Sequence, residues 1–141
     1  MKDQLISTKT AQSAKEKGFD WEVLHFVGVL DSGEIDPDII SMSPATNWNT
    51  RTTLISVPTQ SLLQRWLREV HNIHIELLLD GYKNLDNDDI VSDEFLCYRA
   101  FLYKVGSPVP KPYNDLGAKD YETILEVALQ DALELIDNEI K

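Results

Sequence analysis

A single cysteine, Cys97, in 141 residues leaves no partner for an intrachain disulfide and too few thiolates for a metal cluster. No run of about 18 uncharged apolar residues occurs, so no segment reads as membrane-spanning. The start, Met1-Lys2-Asp3-Gln4-Leu5-Ile6-Ser7, turns polar before a signal-peptide core could form, and cytoplasmic residence is the expectation. A glycine-rich phosphate cradle is missing, and no Ser/His/Asp or Cys/His set is supported by a motif. No catalytic residue, cofactor or metal is therefore predicted, and the enzyme reading is weak. Basic residues are also scarce: 13 Lys and Arg stand against 24 Asp and Glu, a formal net charge of −11. That balance favours solubility and repels bare phosphate backbones at long range, which argues against a general nucleic-acid binder.

The acid is unevenly spread. From Ile39 to Arg68 there is no carboxylate, while Arg51, Arg65 and Arg68 fall in that stretch; residues 80–94 and 120–139 are dense in acid. A local anion site around these arginines, with Gln64 beside them, is the candidate binding region.

The chain is long enough for one domain, residues 1–141, that buries roughly 70% of its unfolded surface. Ser7 or Thr8 can cap a first helix to about Lys17, with Gly18 placed to end it. Ala11 and Ala14 give this helix a thin apolar face that predicts a surface position, with Phe19 and Trp21 as the anchors. Residues 21–30 read as a strand, Asp31-Ser32-Gly33 as a turn, and 34–50 as an irregular stretch. Residues 52–57 are a candidate short strand that leads to Pro58, which suits the first turn of a second helix.

In that helix Leu62, Leu63, Trp66, Leu67 and Val70 form one apolar stripe, and Gln60, Gln64, Arg65, Arg68 and Glu69 the polar side. Asn72 stops it, and residues 73–79 alternate as a half-buried strand. Residues 95–105 form the longest strand candidate. The segment 106–116, with Pro108, Pro110 and Pro112, reads as a connector and not a ladder strand. Asp120 caps a last helix whose apolar face is Tyr121, Ile124, Leu125, Ala128, Leu129, Ala132, Leu133 and Ile136, opposite an acidic side with Glu122, Glu126, Gln130, Glu134 and Asp137. The order predicts an α+β fold: one domain with a mainly antiparallel sheet of three to four strands and helices mostly on one face.

Each chemical candidate has a plainer reading beside it. His71 and His74 are the nearest to a metal pair, but their spacing crosses a helix-to-strand junction and no further ligand is near in sequence. Asp86-Asn87-Asp88-Asp89 resembles half of a calcium loop, yet Ile90, Val91 and Cys97 stand where a ligand, the turning glycine and the bidentate carboxylate belong. Tyr98-Arg99-Ala100-Phe101-Leu102-Tyr103 faintly echoes the aromatic strand on which RNA-recognition modules stack bases, but the glycine of that motif is absent and the acidic balance opposes it. The acidic last helix could dock on a basic protein patch; a solvated face is the simpler account.

Pro58-Thr59-Gln60-Ser61-Leu62-Leu63-Gln64-Arg65-Trp66-Leu67-Arg68-Glu69, followed by His71-Asn72-Ile73-His74-Ile75, resembles a phrase shared by small uncharacterised proteins of Bacteroides-type gut bacteria and their phages. Ala14-Lys15-Glu16-Lys17-Gly18-Phe19, Asn47-Trp48-Asn49 and segments of the last helix resemble the same group. The resemblance implies a prophage or mobile-element origin and brings no activity or site residues with it. The expectation is a non-enzymatic, acidic accessory protein that binds a macromolecule, a protein partner or a second copy of itself. The alternative is a nucleic-acid-binding module using Arg51, Arg65 and Arg68. No membrane partner is expected.

Overall fold

A computed structural model of the chain describes residues 4–80, 97–104, 111–112 and 120–137. The α+β expectation holds: three helices pack with two antiparallel sheets, so the strands divide into two sets of three instead of one sheet of three to four.

Helix α1, Thr8–Glu16, begins where Ser7 accepts a hydrogen bond from the Thr10 N–H, and it ends ahead of Gly18 at φ +92°. Its thin apolar face is not a surface feature. Ala11 and Ala14 are fully buried, because small side chains let the helix lie close to its neighbours, α3 and β3.

The first sheet has the order β2-β1-β3, with β1 at Val23–Gly28, β2 at Ile40–Thr46 and β3 at Leu54–Ser56. Strand β2 lies inside the stretch expected to be irregular. Its pairing explains the misreading: Ile40 and Ser41 pair with Phe26 and His25, then the register jumps until Thr46 meets Val23. Met42 to Ala45 are displaced from the ladder as an enlarged bulge, so no alternating pattern marks the strand. The Asn47-Trp48-Asn49 triplet opens a 3-10 turn, Trp48–Thr50, that is wired into this sheet. Trp48 donates from Nε1 to the Val23 carbonyl (2.9 Å) and from its backbone N–H to the Ser56 hydroxyl (3.0 Å). Asn49 donates to the Phe19 carbonyl and accepts from the Ser56 N–H, both at 2.8 Å.

Helix α2, Gln60–His71, is capped by Thr59, whose side chain accepts from the Leu62 N–H. Pro58 thus precedes the cap and is not in the first turn. Leu63, Trp66 and Leu67 are buried, but Val70 is 50% exposed and falls outside the stripe assigned to it. Asn72 ends the helix in the left-handed conformation (φ 56°), and β4, Ile73–Asp80, follows at once. Asparagine reaches that conformation more readily than other residues with a side chain, which is how a helix can turn into a strand without a loop.

The second sheet has the order β4-β5-β6, with β5 at Cys97–Lys104 and β6 at Lys111–Pro112. The proline connector does contribute a ladder strand after all. It is two residues long and at the sheet edge, where a missing N–H does no harm. Ile73, Ile75, Ala100 and Leu102 turn inward, and α3, Tyr121–Asp137, packs on that side through Ile124, Leu125, Ala128, Leu129, Ala132, Leu133 and Ile136. Tyr121, expected on the same apolar face, is 38% exposed at the start of the helix and meets Tyr98 edge to face. These residues join those of α1, α2 and the first sheet in one core cluster. Trp66 sits in it edge-on to Phe19, with ring centroids 5.3 Å apart. The acidic loop 80–94, with the half calcium loop, lies outside the described residues apart from its first backbone position.

Candidate interaction surface

The four residues expected to bind an anion are divided by the fold. Gln64, Arg65 and Arg68 are on α2, whereas Arg51 follows the 3-10 turn. Gln64 donates to the Ile75 carbonyl at 3.1 Å, so it ties α2 to β4. Arg65 pairs with Glu69 at 2.8 Å and lies over the Trp21 ring, 5.8 Å from its centroid. Arg51 uses its backbone carbonyl to accept from Lys15, which also donates to Leu54, both at 2.7 Å. Burial lowers the Lys15 pKa below its ordinary value. The side chains of Arg51 and Arg68 are exposed.

The acidic side of α3 is not simply solvated. Glu126 accepts from the Ser7 N–H (3.0 Å), from the Thr10 hydroxyl and from Gln60 Nε2 (3.1 Å). Gln60, assigned to the polar side of α2, is 2% exposed and also donates to the Glu122 carbonyl. Gln130 donates to Thr10 at 2.9 Å. Ser7 caps α1 and Gln60 opens α2, and the segment before α1 pairs with the one before α2 through Leu5 and Thr59. One carboxylate therefore faces the N-terminal ends of two helices, where peptide dipoles and free N–H groups favour negative charge. Its acceptors are used by neutral donors, which makes it a structural node.

On the outer face of the second sheet His74 lies opposite Tyr103 and Glu76 opposite Phe101. Burial, then the Glu76 charge and hydrogen bond, raise the Tyr103 pKa above its ordinary value. His71 is elsewhere, against Trp66 with ring centroids 4.7 Å apart, so the two histidines serve different neighbourhoods. Trp66 Nε1 and His71 Nε2 are buried without a hydrogen-bond partner, in rings that meet edge to face. Among the described residues, no three His, Cys, Asp or Glu side chains are grouped to hold a metal ion, and no helix is long and apolar enough to cross a membrane.

The outer face of the first sheet is different in kind. Phe26 is covered by Trp48, with centroids 4.4 Å apart, while Leu24 two residues before it and Ile40 paired with it on β2 stay open. Leu24 is 44% exposed, Ile40 46% and Met42 51%; Ile39 and Leu30 are similarly open. Five of the eight large apolar side chains exposed among the described residues thus fall between positions 24 and 42. Reading residues 34–50 as irregular hid this surface; Ile39-Ile40 and Met42 in an uncharged stretch were the available signal. Comparison with protein-family models, curated proteins and solved structures found no match.

Proposed function

We propose that this chain is a non-enzymatic, acidic accessory protein that acts by binding another macromolecule through the outer face of β1 and β2. The concentration of exposed Leu24, Ile39, Ile40 and Met42 supports this reading, since clustered apolar surface is the usual mark of a protein-binding site. The resemblance of residues 58–75 to small proteins of Bacteroides-type gut bacteria and their phages is the ground for proposing a mobile-element role. Affinity capture from a bacterial extract tests the reading. A partner retained by the wild-type chain and lost by the Ile40→Ser/Met42→Ser double variant is the expected outcome. Identical captured sets would overturn it.

Nucleic-acid binding remains the second reading, favoured by the exposed Arg51 and Arg68 in a stretch without carboxylates. Gln64 and Arg65 have structural contacts that account for their placement. Under this reading Arg51→Glu/Arg68→Glu abolishes retention of single-stranded RNA or DNA at low salt without altering the fold. Equal retention by variant and wild type would remove it.

A further inference from the structure

The proposed binding face has an electrostatic setting that narrows what can occupy it. Between Gly18 and Thr50 the chain has six carboxylates and no lysine or arginine. Asp31, Glu34 and Asp38 in the approach to β2 are exposed, and Asp38 immediately precedes the exposed pair Ile39-Ile40. The surface is therefore apolar at its centre and acidic along the approach to β2.

Three occupants are conceivable, and the geometry separates them. A strand added to the β2 edge needs a regular row of free backbone groups. Here Met42 to Ala45 leave the ladder and Pro44 has no N–H, two features that protect sheet edges from pairing. A second copy would set one acidic approach against another, on molecules that each carry a net charge of −11. A partner that offers apolar side chains flanked by lysine or arginine meets both the apolar centre and the acidic approach.

We infer that the outer face of β1 and β2 takes a basic amphipathic polypeptide segment, held by Leu24, Ile40 and Met42 and oriented by Glu34 and Asp38. This rests on the proposed protein-binding role and names the chemistry of the partner. Fluorescence anisotropy of the full chain with a labelled amphipathic peptide of leucine and lysine tests it, with a leucine and glutamate peptide as the counterpart. The lysine peptide should bind and the glutamate peptide should not. Ile40→Ser/Met42→Ser should weaken binding about tenfold or more, since two large apolar contacts are lost. Glu34→Gln/Asp38→Asn should weaken it at low salt, with the difference closing at high salt. Asp131→Asn/Glu134→Gln on α3 should change it less than about twofold, because those charges lie on another element.

Equal binding by the Ile40/Met42 variant, or an equal loss in the α3 variant, would overturn the inference. Sedimentation at rising concentration separates it from the broader reading. A dimer abolished by Met42→Ser would overturn the basic partner and leave the face as a binding surface. If neither peptide binding nor self-association depends on this face, and nucleic-acid retention depends on Arg51 and Arg68, both readings fall together.

Discussion

Glu126 and Trp66 show how differently two residues can support the same core. Glu126 replaces the reciprocal half of a capping box from another helix: Ser7 bonds the N–H three residues on, and Glu126 takes the Ser7 N–H that a glutamate of α1 would ordinarily take. Removing it leaves the Ser7 N–H, the Thr10 hydroxyl and the Gln60 amide short of an acceptor. Glu126→Ala should lower stability by about 1–3 kcal/mol in chemical denaturation, with the larger part due to the unpaired donors. A loss below about 0.5 kcal/mol would mean that water replaces the carboxylate freely. Trp66 acts through volume. It is 1% exposed and packed edge-on against Phe19 and His71, so Trp66→Ala should cost about 3–5 kcal/mol. A thermal melt close to wild type would contradict its place at the centre of the core.

At the scale of the element, the start of α3 gives a pH-dependent test. Hydrogen bonding to the Glu122 side chain, then the Thr123 hydroxyl and the Glu122 backbone, holds Asp120 below its ordinary value. A carboxylate depressed in the folded state stabilises the fold above its unfolded pKa, and that contribution is lost as pH falls through the folded value. Asp120→Ala should therefore be less helical than wild type at neutral pH, and the two should converge in strong acid. Parallel far-UV circular dichroism titrations would reveal this; a constant gap at every pH would rule it out. Helices α1 and α2 show how well caps can be read. Ser7, Gly18 and Asn72 each stand where the backbone needs a side-chain acceptor or a left-handed residue. Strand β2 and the two-residue β6 show the opposite case. Their partners, β1 and β5, impose the strand, and neither has the alternation that would announce it.

For the whole molecule, the important fact is that both sheets and all three helices contribute to one core cluster. Trp48 reports on the first sheet and Trp66 on α2, and their surroundings are continuous through buried side chains. Thermal unfolding followed by tryptophan fluorescence and by far-UV circular dichroism should superpose as a single transition. Two separated transitions would show that the sheets unfold independently.

The acidic balance, the α+β class, the helix limits and the core role of Leu63, Trp66 and Leu67 follow from composition, caps and periodicity. Each depends on residues close together along the chain, and so the sequence alone determined them. The division into two sheets, the burial of Gln60, the inward duty of Glu126 and the apolar face around Ile40 and Met42 depend on which distant segments meet. Gln60 and Glu126 lie 66 positions apart, and nothing local distinguishes them from solvated polar residues. Arg65 and Gln64 likewise look free until Trp21 and Ile75 are brought beside them. The tertiary structure decided these points because hydrogen-bond satisfaction and exposure belong to neighbours in space.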